Sequence, residues 1–224
     1  MHSNVIEKYK KTLTLTRHQR EIIVGTLLGD GHLETQDGGR TYRLKIEHSL
    51  KQKEYVDWLY DQFKEWVGGR PRIRVQQSTL PQGVVKSFTS CGFTTYSHGA
   101  FRFYGQQFYT NQGKKIVPKM IAKLLTPAAI AIWYLDDGSW KSKRHKTFII
   151  HTHGYRNQDL RLLQQTLDRF GVNTLLHRQI RETGIYWRLY ILSESAAKFR
   201  ELIEPTIKQV PTMRYKLGNK MPKE

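Results

Sequence analysis

The chain has 224 residues, with 37 Lys and Arg against 19 Asp and Glu, and its formal net charge is +18. Aromatic residues make up 12% of it, which favours a packed core and excludes an intrinsically disordered chain. The single cysteine, Cys91, excludes an intrachain disulfide, and the longest apolar run, residues 128–135, falls short of the ~20 residues of a bilayer span. We expect a soluble intracellular protein without a secretory signal and without membrane association.

The positive charge is spread over the whole chain. Residues 1–113 carry a net charge of +6 and residues 114–224 a net charge of +12. A basic membrane binder concentrates its charge on one amphipathic helix, whereas a nucleic-acid binder spreads it over a broad face. Solubility alone rarely requires so much charge of one sign. The composition therefore favours nucleic acid as the partner.

The first strong pattern in chain order is an apolar segment, residues 22–31, that contains Asp30 close to its end. A second segment of the same kind, residues 129–138, carries Asp137 at the matching position. Each segment is expected to form a buried helix, because it has little polar surface. The two acidic ends lie 107 positions apart, close to half the chain length, which indicates an internal repeat.

The same elements are predicted after each apolar segment. Alternating residues predict strands at 41–48 and 147–153, and helical periodicity predicts helices at 55–67 and 158–170. In the first unit a strand at 70–77, with a partner at 84–89 or 101–104, leads to a closing helix at 106–110. In the second unit strands at 174–181 and 186–192 lead to a closing helix at 194–203. The fold class is therefore predicted as α+β, with two pseudo-symmetric αββαββα units. We place these units at 1–113 and 114–224, each with an antiparallel sheet, and expect them to pack through the two apolar helices.

Parallel packing of the two apolar helices would bring Asp30 and Asp137 together at their C-terminal ends. Gly25 and Gly29 lie on one face of the first helix and permit a close approach. Carboxylates at this end are unfavourable, because the helix dipole is negative there and the two acids repel each other. Divalent cations would relieve both problems, and oxygen ligands favour Mg²⁺. An Asp-Gly pair also ends ordinary helices, so each motif alone leaves that alternative open.

The two segments resemble the signature of the LAGLIDADG homing endonucleases, in particular the monomeric type with two motifs. The shared positions are Gly25, Asp30 and Gly31 in the first segment and Asp137 and Gly138 in the second. Ile132 stands where the second signature would carry glycine. The resemblance runs from residue 17 to about residue 217, and short flanking matches at 39–42, 60–63, 125–127 and 215–217 are similar to an intron-encoded yeast mitochondrial member.

This resemblance implies a site-specific endonuclease that hydrolyses both strands of a long DNA duplex across the minor groove and leaves short 3′ overhangs. It assigns metal binding and catalysis to Asp30 and Asp137, further metal ligation to the carbonyl groups of Gly29 and Asp136, and basic catalytic roles to Lys115 and Lys216. The expected cofactor is Mg²⁺, with Mn²⁺ as a substitute and Ca²⁺ as an ion that binds without turnover. For either lysine, an ordinary surface cation is the alternative.

Basic residues on the predicted strands form a candidate DNA-binding surface. Strand alternation places Arg43 with Lys45 on one face, and Arg72 with Arg74 on another. Arginine and glutamine can contact base edges, whereas lysine more often contacts phosphate. Two such sheets would cover roughly 18–20 base pairs. The predicted DNA-contacting residues are Arg40, Arg43, Lys45, Arg70, Arg72, Arg74, Gln76, Lys86, Lys143, His151, His153, Arg178, Arg181 and Arg188.

Two alternatives to a homing endonuclease remain open. The first is a maturase on the same fold that binds its host intron RNA, and the second is a DNA-binding protein without activity. The presence of both Asp30 and Asp137 argues against the second alternative, but a maturase can keep its acids. We expect a monomer, and the sequence does not distinguish an organellar host from a bacterial or archaeal one.

Overall fold

The computed structural model describes residues 4–79, 85–142, 144–182 and 184–218. Its helices are α1 (Asn4–Lys10), α2 (Arg17–Leu28), α3 (Lys53–Phe63), α4 (Arg102–Phe108), α5 (Ile121–Leu124), α6 (Pro127–Asp137), α7 (Asn157–Asp168) and α8 (Ala196–Ile207). Its strands are β1 (His32–Glu34), β2 (Arg43–Ser49), β3 (Arg72–Thr79), β4 (Val85–Thr94), β5 (Gly138–Trp140), β6 (Phe148–His151), β7 (Thr174–Arg181) and β8 (Gly184–Ile191). A 3₁₀ helix, Pro211–Leu217, follows α8. Across these ranges, every helix is too short or too polar to cross a bilayer.

Two four-stranded antiparallel sheets repeat one topology. Their strand orders are β1-β2-β4-β3 and β5-β6-β8-β7, so the predicted α+β class is confirmed. Leu44 and Ile46 of β2 are fully buried on the face that α3 covers, while the alternate residues are partly exposed. The division of the chain at residue 113 stays a prediction.

One strand alternative is wrong. Residues 101–104 do not pair with β3, because they belong to a helical segment whose buried side chains, Phe101, Tyr104 and Phe108, recur at helical spacing. The partner of β3 is β4, which runs on to Thr94, and the predicted start of this strand at Val84 lies outside the described residues. The three-residue strands β1 and β5 carry too few alternations to stand out in the sequence.

The two motif helices begin at well-formed N-terminal caps. Thr16 forms a reciprocal capping box with Gln19 at the start of α2. Thr126 accepts a hydrogen bond from the amide of Ala129 at the start of α6, where Pro127 occupies the first turn. From these caps α2 runs for 12 residues and α6 for 11, and their C-terminal ends meet where Gly29 contacts Asp136.

The motif helices pack in parallel through two complementary contacts. A Cβ on Gly25 would lie 2.5 Å from Cβ of Ile132, and a Cβ on Gly29 would lie 2.4 Å from Cβ of Asp136. Since residues 25 and 29 meet residues 132 and 136 in the same order, the helices run in the same direction. The absent second glycine of the signature is therefore compensated, because Ile132 fills the space that Gly25 leaves.

Gly25→Ala is expected to destabilise the fold by about 1–3 kcal/mol, because its new methyl group would also lie 2.6 Å from the backbone oxygen of Ala129. Urea unfolding followed by circular dichroism measures the change. Gly99→Ala is the matched control, since a Cβ there meets nothing within 4 Å. Equal stability of the two variants would contradict the proposed close packing.

Candidate active site

The structure brings Asp30 and Asp137 together at the paired C-terminal ends of α2 and α6. Burial, together with the negative charges of Asp30 and Asp136, raises the pKa of Asp137 to about 8. Asp30 is more open, with half of its side chain exposed. The two carboxylates that the sequence singles out therefore interact electrostatically.

A lysine reaches the last carbonyl groups of each motif helix. Lys115 Nζ donates to the carbonyl oxygens of Gly29 at 2.6 Å and Gly31 at 2.8 Å. Lys216 Nζ donates to the carbonyl oxygens of Leu135 and Asp136, the latter at 3.2 Å. Carbonyl groups at a helix C-terminus lack partners within the helix, so the two ammonium groups satisfy them. The predicted carbonyl ligands, Gly29 and Asp136, thus accept hydrogen bonds from the two predicted basic residues.

Both lysines are held inside the site rather than on the open surface. Burial lowers the pKa of Lys115 and of Lys216, and the nearby aspartates oppose this effect. Lys216 is buried, and Lys115 is half-buried beside Asp137 in a cavity of about 280 Å³. Each ammonium group is therefore fixed close to a carboxylate and to a helix end.

Three side chains that sequence reasoning did not assign complete the polar cluster. Asp136 has a fully buried side chain whose Oδ1 accepts a hydrogen bond from Tyr55 Oη at 2.8 Å. His48 is buried between the aspartates, with Nδ1 3.4 Å from Asp30 Oδ2 and Nε2 3.7 Å from Asp136 Oδ1. The sequence does contain a pattern that indicates burial of His48, because this residue continues the alternation of Leu44 and Ile46 on β2.

The cluster sets the protonation of its members. Burial alone would lower the pKa of His48, but Asp30 and Asp136 raise it above its ordinary value. The hydrogen bond with His48 in turn lowers the pKa of Asp30. Burial raises the pKa of Asp136 to about 6. Three carboxyl groups, of which Asp136 is fully buried and Asp30 is half exposed, thus interact with a single imidazole and two ammonium groups.

The residues present suit a hard divalent cation. Carboxylate and carbonyl oxygens surround the paired helix ends, and oxygen is the ligand type that Mg²⁺ prefers. The raised pKa of Asp137 indicates excess negative charge, which a cation would neutralise. Within the described ranges, no group of three His, Cys, Asp or Glu side chains has metal-binding geometry. Backbone carbonyls or oxygens of a bound substrate would therefore have to complete the coordination.

The first sheet presents basic side chains together with two carboxylates. Arg43 Nη2 lies 2.7 Å from Glu34 Oε2, and Arg74 Nη1 lies 4.0 Å from Glu47 Oε2. Lys45 lies within 4 Å of both glutamates. A groove of about 340 Å³ is lined by four of the predicted DNA-contacting residues, Lys45, Arg70, Arg72 and Arg74. The ion pairs orient Arg43, Lys45 and Arg74 on an exposed surface. They do not neutralise the positive charge of that surface.

His151, at the end of β6 in the second sheet, lies beside the acidic site. His151 shares a cavity with Asp137 and Lys115, and its Nε2 lies 3.0 Å from Ser139 Oγ. Burial lowers the pKa of His151 to about 4, with a further contribution from the charge of Arg188. His151 is therefore neutral near pH 7.

The remaining predicted DNA-contacting residues lie on loops and strands of both sheets. Arg40 donates to the backbone of Asp37 in the loop before β2. The others are Gln76 and Lys86 on the first hairpin, His153 in a turn that lines the cavity with Asp137, Arg188 on β8 opposite His151, and Arg178 and Arg181, both exposed on β7. Lys143 lies outside the described residues. The structure thus gathers Arg70, Arg72, Arg74 and Lys45 but does not bring all thirteen described positions to one place.

Known proteins match this chain over most of its length. The model of the LAGLIDADG DNA endonuclease family matches residues 20–199. The chain belongs to this family. The resemblance predicted from the two motifs is therefore confirmed.

Three similar proteins define the comparison further. The DNA endonuclease I-ChuI of Chlamydomonas applanata is 30% identical over 93% of this chain and 99% of its own length. The cytochrome b mRNA maturase bI2 of Debaryomyces hansenii is 29% identical over 92% of this chain and 76% of its own length. The solved structure of the homing endonuclease I-WcaI bound to its DNA recognition sequence superposes with a TM-score of 0.81 at 26% identity, covering 96% of this chain and 93% of that one.

Asp137→Asn is expected to raise the melting temperature of the metal-free protein, with a gain that grows as the pH rises. The folded protein holds the Asp137 proton up to about pH 8, whereas an unfolded chain releases it near pH ~4. Stability of the wild type therefore falls as the pH rises between these values, and asparagine removes that loss.

Thermal melting in EDTA between about pH 5 and about pH 9 measures this effect. Asp168→Asn, at an exposed position on α7, changes the net charge equally and is the control. A gain that is the same for both variants, or independent of pH, would contradict the proposed buried carboxylate.

Proposed function

We propose that this protein is a site-specific homing endonuclease that uses a divalent metal to cut both strands of double-stranded DNA. The observation that carries the proposal is the meeting of Asp30 and Asp137 at the paired helix ends, with Lys115 and Lys216 bound at the same ends. Family membership supports DNA hydrolysis as the activity class. The proposed products carry short 3′ overhangs.

Asp30 and Asp137 are the proposed metal-binding carboxylates, with carbonyl oxygens of Gly29 and Asp136 as further ligands. Bound Mg²⁺ would activate water and stabilise the leaving oxygen of a phosphodiester. Asp137 has to release its proton before it binds a cation, so metal binding and deprotonation are coupled at this residue. Mn²⁺ is the proposed substitute, and Ca²⁺ is proposed to bind without supporting turnover.

Lys115 and Lys216 are proposed to stabilise negative charge that develops on the scissile phosphates. Each ammonium group is fixed by carbonyl groups rather than by a carboxylate alone, so it keeps its position when a phosphate approaches. Preorganised cations in a half-buried site act more strongly than cations in water. Replacement by a neutral side chain would leave the helix-end carbonyls without this donor.

The two sheets are the proposed DNA-binding surface of a monomer, with a target of roughly 18–20 base pairs. Support comes from the exposed arginines on β3 and β7 and from the similarity to I-WcaI, whose structure was solved with its DNA recognition sequence. The glutamates of the first sheet can accept a hydrogen bond from cytosine, so they add a readout that the arginines lack.

Asp30→Asn is expected to reduce DNA cleavage at least about a hundredfold, because a proposed metal-binding carboxylate is lost. The measurement incubates the protein with Mg²⁺ and a DNA library of candidate insertion sites and sequences the ends produced. Asp61→Asn, at an exposed position of α3, makes the same charge change and should cut as the wild type does. Unchanged cutting of both strands by Asp30→Asn would overturn the role given to this residue.

Arg74→Ala and Lys86→Ala are expected to weaken DNA binding in different ways. The arginine is oriented by Glu47 in the groove of the first sheet, so its loss should cost about 1–3 kcal/mol and relax specificity at one base pair. The exposed Lys86 should contact phosphate, so its loss should weaken binding uniformly and reduce the salt slope by about 1.

Fluorescence anisotropy with EDTA at several salt concentrations measures both effects on a duplex identified by the cleavage assay. Lys198→Ala on α8 is the control, because that helix belongs to neither sheet. A change in salt slope without any change in specificity for Arg74→Ala would assign that residue to phosphate contact.

A second candidate function is binding of intron RNA as a maturase. The specific observation is the 29% identity to a cytochrome b mRNA maturase over 92% of this chain. Binding of the host intron RNA without cleavage of any DNA in the library would favour this function over the endonuclease.

A further inference from the structure

The acidic site departs from twofold symmetry at one pair of positions. Gly29 and Asp136 occupy equivalent places in the two motifs, each directly before the signature aspartate. A Cβ on Gly29 would lie 2.4 Å from both Cβ and Oδ2 of Asp136, so only one of the two positions can carry a side chain. The side chain that is present belongs to α6 and points towards the end of α2.

Asp136 holds the backbone of the opposite motif. Its Oδ2 accepts a hydrogen bond from the amide of Asp30 at 3.1 Å, and its Oδ1 accepts one from Tyr55 Oη. The Asp136 side chain is fully buried, and Tyr55 has no exposed surface. A buried carboxylate is costly without such partners, so these hydrogen bonds fix its orientation.

His48 adds a second connection to the same motif. Its ring lies between the carboxylates of Asp30 and Asp136 and stands 5.1 Å from the ring of Tyr55, measured between centroids. Only 1% of the His48 side chain is exposed. The backbone and the side chain of Asp30 are therefore both in contact with one buried group, the brace formed by His48, Tyr55 and Asp136.

Among the described residues, the second motif has no carboxylate and no imidazole at the positions that correspond to Asp136 and His48. The half-buried Tyr155 near Asp137 instead donates its hydroxyl group to the carbonyl oxygen of Leu28 at 2.8 Å. Gly29 offers Asp137 no side chain, and the counterpart of His48 by strand register is Thr152. The hydroxyl group of Thr152 donates to the carbonyl oxygen of Trp187 at 2.8 Å, which directs it away from the acids. The brace therefore acts on one half of the site only.

We infer that the brace of His48, Tyr55 and Asp136 positions Asp30 for metal binding, and that the two DNA strands consequently depend on it to different degrees. This inference rests on the proposed endonuclease function. Residues that orient metal ligands through hydrogen bonds typically change metal affinity or activity by about 10–100-fold when they are replaced. Tyr55, Asp136 and His48 are positioning residues in this scheme, because they act through Asp30.

Tyr55→Phe is the decisive variant, because it removes one hydroxyl group and keeps the buried ring. We expect cleavage of one strand to slow about tenfold more than cleavage of the other, so that nicked DNA accumulates. A duplex with a different fluorescent label on each strand gives both rates in one reaction. Calorimetric titration of Ca²⁺ into the protein–DNA complex should show about tenfold weaker binding.

Asp136→Asn is the second variant, because it keeps the backbone carbonyl and the shape of the side chain but removes the charge. It should change the strand ratio in the same direction as Tyr55→Phe. Tyr104→Phe is the control: it removes the hydroxyl group of a buried tyrosine on α4 that lies outside the acidic cluster, and it should leave both rates and the Ca²⁺ titration unchanged.

The possible outcomes distinguish a failure of the inference from a failure of the proposed function. Equal slowing of both strands by Tyr55→Phe, with unchanged Ca²⁺ binding and a lower melting temperature, would overturn the inference and assign the brace to stability. Wild-type protein that binds DNA but cuts neither strand would overturn the proposed function, and the inference would fall with it. Unequal slowing with weaker Ca²⁺ binding would support both.

Discussion

Two apolar helices, α2 and α6, lie side by side in parallel, and their contact brings together the three aspartates of the site. The close approach requires Gly25 against Ile132 and Gly29 against Asp136, and it brings the C-terminal ends of both helices to one level. Dipoles and carboxylates of the same sign then meet at the helix ends, and the apolar packing of the two helices opposes their repulsion. The two sheets follow directly from the helix ends, so their relative position depends on the same contact.

The aspartates at the paired helix ends repel one another, and the two lysines of the site offset this repulsion only in part. Lys115 and Lys216 bind the carbonyl groups of the helix ends, and His48 contacts Asp30 and Asp136. The pKa of Asp137 is nevertheless raised to about 8, so one carboxyl group remains protonated near neutral pH. Sites that bind charged ligands are often unfavourable for stability in this way, because the groups are arranged for the ligand rather than for the free protein.

The repeat, the helix ends and the hairpins could be predicted because each follows from local periodicity. The helix predicted at residues 158–170 is α7, and the strand predicted at residues 174–181 is β7 with the same bounds. The brace could not be predicted, since Asp136 acts through its side chain on the amide of Asp30, 106 residues away. His48 lies on the buried face of β2, but only tertiary packing shows that the buried space there is polar. Short strands such as β1 have too little pattern to be detected.

The contact between α2 and α6 also determines which halves of the chain can pack against each other. In a pair of first halves, Gly25 and Gly29 would each face a second glycine and leave voids. In a pair of second halves, Ile132 would clash with a second Ile132, and two buried Asp136 carboxylates would meet. The two faces of the contact between α2 and α6 are therefore chemically different, although the geometry of the contact is nearly twofold symmetric. Divergence of one half can therefore proceed without competition from self-association.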